Sequence, residues 1–197
     1  LDLLRARAEA SDPELIPEID ILSKEVLRLN RVVTTFLDFS RPVEVHFDNL
    51  DLGATAREVT DLIRPQAALG NIEVICEIPA EPALMRGDPD LLKQAILNLV
   101  TNAVEAMSPN GGSLHVKVAR STDNWVLEVG DTGPGIPPAM RDKVFQLYFT
   151  SKAKGSGIGL AMTYRAAQLH NGTISFTSES GRGTTFRLEL PALVSAG

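Results

Sequence analysis

Four short segments hold the residue types that could do chemistry. Asn98-Leu-Val-Thr-Asn102-Ala-Val-Glu105 spaces two amides and a carboxylate by four and three residues, so they share one side of a helix. Oxygen donors of that kind suit a hard divalent cation. Asp131-Thr-Gly133-Pro-Gly135 sets a carboxylate at the mouth of a glycine turn, where the backbone can pass close to a ligand. Gly155-Ser156-Gly157-Ile158-Gly159-Leu160 opens a helix, and its free backbone N–H groups can hold phosphate oxygens. Gly181-Arg-Gly183-Thr184 is a last glycine turn, leading into a strand.

Each segment alone has an ordinary structural reading. The aspartate of an Asp-x-Gly turn commonly bonds its own backbone. A polar stripe is commonly a solvated helix face. A lone Gly-x-Gly-x-Gly arises often by chance, and this one follows Phe149-Thr-Ser-Lys152-Ala-Lys rather than a strand, which argues against a dinucleotide fingerprint. Lys143 and Lys152 read either as surface residues or as partners of a phosphate. A buried carboxylate at Asp131 can also accept from the exocyclic amine of adenine and would thereby reject guanine, which carries a carbonyl there.

The elements that must position these groups can be read from pattern. Asp88-Pro89 is an N-cap followed by proline in the first turn, and predicts a helix to Met107. At about 100° per residue, Gln94, Asn98, Asn102 and Glu105 fall within roughly 80° of arc. Leu92, Ile96, Leu99, Ala103 and Met107 fall opposite, toward a core. Asp51 caps a helix to about Leu69, ended by Gly70, and a strand is expected from Asn71 to Pro79. Leu114 to Ala119 and Trp125 to Gly130 read as a hairpin. Thr173 to Ser178 and Thr184 to Leu190 read as a second strand pair, after a helix from Ile158 to Leu169 that ends at a left-handed Asn171-Gly172. The expected architecture is α+β, a two-layer sandwich with helices on one face of a mixed sheet.

Upstream the pattern is different. Leu15, Ile19, Leu22, Val26, Leu29, Val33 and Phe36 step by 4, 3, 4, 3, 4 and 3, a heptad seam within Glu14 to Ser40. Such a seam fits a helix docked on its own domain or, as its length and period favour, a dimeric bundle. Leu1 to Ala10 reads as the end of a preceding helix, giving a hairpin over 1–42 and an α/β domain over 43–197. With 44% apolar and 22% charged residues in 197, the chain can bury a core, which excludes global disorder. The net charge of −6 argues against nucleic acid as main partner. The single cysteine, Cys76, excludes an internal disulfide and fits a reducing, cytoplasmic setting. No apolar run reaches the ~20 residues of a membrane span. The chain starts at Leu1, without methionine and inside a helical pattern, so it reads as a piece of a longer protein whose parent could be membrane-anchored.

In their order and spacing the four segments resemble the nucleotide pocket of sensor histidine kinases and their relatives in the gyrase, heat-shock-90 and mismatch-repair ATPase superfamily. The resemblance covers roughly Glu14 to Pro191 and implies the Bergerat-type ATP-binding fold with Mg2+ and ATP as cofactors. It makes Asn102 the Mg2+ ligand, with Asn98 and Glu105 beside the phosphates or the metal's waters. It makes Asp131 the adenine contact, with Gly133, Gly135 and Ile136 following it and Thr184 nearby. Phe145 to Phe149 resembles the family's phenylalanine-rich segment, and the short stretch to Gly155 implies a compact lid. Lys143 and Lys152 would face phosphate, and Gly155 to Leu160 would cradle it.

The resemblance also implies what is missing. The family's hydrolytic members carry a glutamate at the position of Asn98, and an amide there lacks the basicity to activate water. That favours a kinase over an ATPase. The hairpin ending Leu37-Asp-Phe-Ser-Arg-Pro42 resembles the second half of a dimerisation and phosphotransfer module, whose acceptor histidine would lie on the first helix. His46, His115 and His170 are none of them so placed and read as structural or exposed. The expectation is therefore the ATP-binding catalytic portion of a protein-histidine kinase that cannot phosphorylate itself. Its partners would be a second copy through the hairpin and a response regulator's receiver domain. The competing readings are a superfamily ATPase and a non-catalytic regulatory module.

Overall fold

The computed structural model describes residues 15–26, 44–108, 110–152 and 155–193. The chain divides into two compact units, Leu1–Val43 and Glu44–Gly197. In the first, residues 16–26 are helical, with Pro17 in the opening turn, where no intrahelical donor is lost. This stretch carries Ile19, Leu22 and Val26 of the heptad seam. Leu29, Val33, Phe36 and the expected helix end at 1–10 lie outside the described residues.

The second unit begins with β1 (Asp48–Asp51), α1 (Leu52–Leu69), β2 (Ile72–Glu77) and β3 (Leu84–Gly87). β1 pairs antiparallel with β3, Asp48 opposite Gly87. No expectation covers this small sheet, because Asp-Asn-Leu-Asp is too short to show alternation. Asp51 anchors it chemically, one carboxylate oxygen accepting from the Gly53 amide at the start of α1 and from the Ala83 amide, both at 2.9 Å. α1 ends as expected at Leu69 with Gly70 (φ −91°) as its C-cap, and the left-handed residue just beyond it is Asn71 (φ 54°). α1 also continues through Pro65, with Ile63 and Ala67 buried on either side of it.

The remainder is α2 (Pro89–Met107), β4 (Gly112–Ser121), β5 (Asn124–Asp131), the short α3 (Pro138–Arg141), α4 (Gly159–Leu169), β6 (Thr173–Glu179) and β7 (Gly183–Pro191). α3 was not expected. The five-stranded sheet runs β2-β4-β5-β7-β6, with β2 parallel to β4 and the other pairs antiparallel, so it is mixed as predicted. Period-2 alternation sends Leu114, Val116, Val118, Leu127, Val129, Phe186 and Leu188 into the core. Leu92, Ile96, Leu99, Val100 and Met107 of α2 meet them there. Fully burying each such side chain is worth about 1.5–3 kcal/mol. The alternate residues form a charged outer face, where Glu77 pairs with Lys117 at 2.9 Å and Glu128 with Arg187 at 2.7 Å. The layers are thus one helical, one sheet. Strand register decides the chemistry of the core side, for Asp131 at the end of β5 lies opposite Thr184 at the start of β7.

Candidate functional site

α2 is the element that presents the polar stripe, and its first turn is tied down heavily. Asp88 accepts from the amides of Asp90 (3.1 Å) and Leu91 (3.0 Å) through one oxygen, and from the His46 amide (2.9 Å) through the other. Burial alone would raise the Asp88 pKa. The Leu91, His46 and Asp90 amides outweigh it and hold the carboxyl below its ordinary value. His170, buried at the end of α4, accepts from the Asp88 amide with Nε2 (2.8 Å) while Nδ1 lies 2.7 Å from the Ala166 carbonyl. Only a neutral imidazole with its proton on Nδ1 serves both bonds. His170 is therefore structural, as the sequence suggests, and His46 and His115 are exposed.

From that anchored start the stripe emerges as predicted. Gln94 donates to Asn98 Oδ1 (3.1 Å), and Asn98 Nδ2 donates to the Gly159 carbonyl (3.1 Å). Thr163 Oγ1 shares the same carbonyl at 2.9 Å. Asn98 is thus a fixed donor that seats the first turn of α4 beside α2. One turn on, Asn102 Oδ1 and the Glu105 carboxylate both face the Lys152 ammonium, at 2.9 and 2.5 Å. Two hard oxygen donors thus converge on one positive charge, the donor chemistry that Mg2+ takes when waters and phosphate oxygens complete its shell. Among the described residues there is no cluster of three His, Cys, Asp or Glu side chains able to hold a metal alone.

Asp131 is half-buried. Burial pushes its carboxyl pKa up, against the lowering effects of the Gly133 and Thr184 amides and of the Lys152 charge. The Gly133 amide bonds Oδ1 at 2.8 Å, so the ordinary Asp-x-Gly turn is present. Around it the chain is stitched by Ser178, which the sequence reading did not single out. Its hydroxyl accepts from the Ile136 amide (2.7 Å), donates to the Gly183 carbonyl (3.0 Å) and lies 3.0 Å from Thr184 Oγ1. A serine late in an alternating strand gives no signal of such a role. Gly183 must be glycine, since its φ is +107° and a Cβ there would overlap the Asp131 carbonyl oxygen.

The glycine run lies between Asp131 and Ser178 in sequence. Gly155 donates its amide to the Lys152 carbonyl (3.1 Å), and the Gly157 carbonyl accepts from the Tyr148 amide (2.8 Å). Gly157 takes φ +67°, and a Cβ there would strike the Tyr148 backbone. Ile158 is buried, and Gly159 and Leu160 begin α4. Lys143 and Ser156 are exposed, and among the described residues no side-chain hydrogen bond joins them to the rest. The structure therefore brings together Asn98, Asn102, Glu105, Lys152 and Gly159, with Asp131 inside the field of the same lysine. A separate hollow of about 200 Å3 opens on the charged outer face of the sheet, over Gly130 between His115 and Thr185, and contains none of these groups.

Comparison with known proteins identifies the family. Residues 87–194 match the family model described as histidine kinase-, DNA gyrase B- and HSP90-like ATPase. The signal transduction histidine-protein kinase AtoS of Escherichia coli (strain K12) is 33% identical over 186 residues, 94% of this chain and 30% of that protein. The crystallised catalytic domain of histidine kinase ThkA is 29% identical with a TM-score of 0.68, over 74% of this chain and 95% of that one. The complex of ThkA with response regulator protein TrrA gives a TM-score of 0.74 at 28% identity, over 96% of this chain and 55% of that one. The chain belongs to the histidine kinase-, DNA gyrase B- and HSP90-like ATPase family, and within it is a histidine kinase ATP-binding domain. It spans about a third of the length of the curated relatives it matches. Among the described residues no helix is long and apolar enough to cross a membrane.

Proposed function

We propose that this chain is the catalytic portion of a sensor histidine kinase. It would place Mg-ATP so that a histidine nitrogen of the parent protein attacks the γ-phosphorus, the bond to the β,γ-bridging oxygen breaks and ADP leaves. The phosphoryl group would then pass to an aspartate on a response regulator's receiver domain, the kind of partner held by ThkA in its complex with TrrA. The observation that carries the reading is convergence. The Lys152 ammonium bonds Asn102 and Glu105 of α2, and its charge offsets part of the burial-driven rise in the Asp131 pKa at the end of β5, which supports metal-type donors and a base-type acceptor serving one ligand.

In that space Asp131 would accept from the exocyclic amine of adenine, with Thr184 and the Gly133-to-Ile136 turn alongside. Asn102 would ligate Mg2+, and Glu105 would orient the metal's waters. Mg2+ supplies charge neutralisation across the β- and γ-phosphates, the main catalytic need of phosphoryl transfer. Lys152 and Lys143 would meet phosphate oxygens, and the amides from Gly155 to Leu160 would cradle them at the α4 N-terminus. Asn98 supports transfer over hydrolysis: its amide is a fixed donor to the Gly159 carbonyl and offers no base for water.

The unit containing the heptad seam would be the second half of a dimerisation and phosphotransfer hairpin, pairing with a second copy as a bundle. The test supplies the acceptor separately. A peptide carrying the histidine-bearing helix of a sensor kinase, incubated with this chain and [γ-32P]ATP, should gain acid-labile, base-stable label. Phosphate release to water with no label on the helix would move the assignment to an ATPase, and ATP binding with neither would make the chain a regulatory module.

A further inference from the structure

We propose that Lys152 is the built-in counter-cation of the pocket, held on Asn102 and Glu105 in the ligand-free chain and exchanged for Mg2+ when nucleotide phosphates draw it away. The proposal rests on the reading of the pocket as an Mg-ATP site. Lys152 Nζ lies 2.9 Å from Asn102 Oδ1 and 2.5 Å from the Glu105 carboxylate, the two oxygen donors on this turn of α2. A divalent ion on Asn102 Oδ1 and an ammonium on the same oxygen repel each other at short range, so binding of one disfavours the other. The lysine backbone is set for the purpose. Thr150 Oγ1 accepts the Lys152 amide at 3.1 Å, and the Lys152 carbonyl accepts the Gly155 amide at 3.1 Å, so residue 152 is fixed in a turn at the edge of the phosphate-binding run.

The side chain itself is a compact charge on a flexible four-carbon stem with three donors, and can swing while its backbone stays. Burial raises the Asp131 pKa, and the Lys152 charge offsets a part of that rise. One ammonium therefore holds the metal-type donors directly and acts on the base-type acceptor at longer range. Its exchange couples the two ligands. Metal alone must displace a cation from its carboxylate, whereas metal with nucleotide offers the ammonium a new anion. Coupling of this kind is reciprocal, so Mg2+ strengthens nucleotide binding by the factor by which nucleotide strengthens Mg2+.

The test uses the metal alone. Mn2+ binding to the whole chain, followed by electron paramagnetic resonance without nucleotide, should be weak in the wild type and about tenfold or more tighter in Lys152→Met, which keeps the stem and removes the charge. Lys152→Gln should behave alike, and adding Glu105→Gln should abolish the gain. Circular dichroism establishes that each variant is folded. Mn2+ affinity unchanged or weakened in both folded variants, with ATP still binding the wild type in Mg2+, overturns the exchange and leaves the pocket assignment standing. A wild type that binds no ATP in Mg2+ overturns the pocket assignment and the exchange with it.

Discussion

Asp88 and Asp131 each stand at the end of a strand, the first entering a helix and the second a turn, and each accepts an amide two residues ahead. They are nevertheless driven in opposite directions. Asp88 is buried but receives three amides, and its carboxyl is held below the ordinary value. Asp131 is half-buried with two amides and a distant lysine, and burial wins, raising its carboxyl. A carboxylate whose acceptor capacity is consumed by the chain is a cap. One left short of donors is poised to take a donor from outside, and the protein spends stability to keep it so. The start of α2 is structural, and the end of β5 keeps the acceptor that the proposed adenine contact would use.

Asp131→Asn should separate the two most sharply. ATP affinity should fall roughly 10- to 100-fold, because a hydrogen bond to a charged acceptor is worth about 1.5–3 kcal/mol. Thermal stability should hold or rise, since the buried charge is gone. Calorimetric titration and a melting curve on the same sample read both. Asp88→Ala should do the reverse, lowering stability by about 1–2 kcal/mol as a lost N-cap while the folded fraction keeps its ATP affinity. Denaturant unfolding with and without ATP separates these terms.

Acidification tests the same contrast without mutation. The folded pKa of Asp88 is depressed, so its stabilisation is present above the ordinary carboxylate range and is lost as pH falls through the lowered value. That of Asp131 is raised, so its anion costs stability at neutral pH and the cost disappears as the group protonates. Adenine needs the anion. ATP affinity should therefore begin to fall above the ordinary carboxylate range, approaching tenfold per pH unit, while circular dichroism still reports a folded chain. Coincident loss of binding and fold would erase the distinction. The smallest effect is expected away from both aspartates. Lys117→Ala, which removes an exposed pair with Glu77, should leave both the melting curve and ATP binding essentially unchanged.

Much of this was legible in the chain. Asp88-Pro89 marked the start of α2, the 3.6 period divided its apolar face from Asn98, Asn102 and Glu105, and alternation located β4 to β7. Local chemistry writes such signals within a few residues. The unread features depend on partners distant in sequence. Asn98 is turned to structural use by a carbonyl at Gly159, Asn102 meets Lys152, and Ser178 earns its role from Ile136, Gly183 and Thr184 together. The β1–β3 pair likewise joins segments separated by a helix and a strand, with Asp51 bonding the Ala83 amide beside it. Helix ends were legible as well: α1 stops at Leu69 with Gly70 as its cap, and only the left-handed Asn71 beyond it went unread.

The most direct measurement is calorimetric titration of ATP, and separately GTP, into the wild-type chain with Mg2+ present. If Asp131 is an adenine acceptor in a nucleotide pocket, ATP binds and GTP, with a carbonyl where adenine has its amine, binds far more weakly or not at all. Equal binding of the two, or of neither, would contradict it.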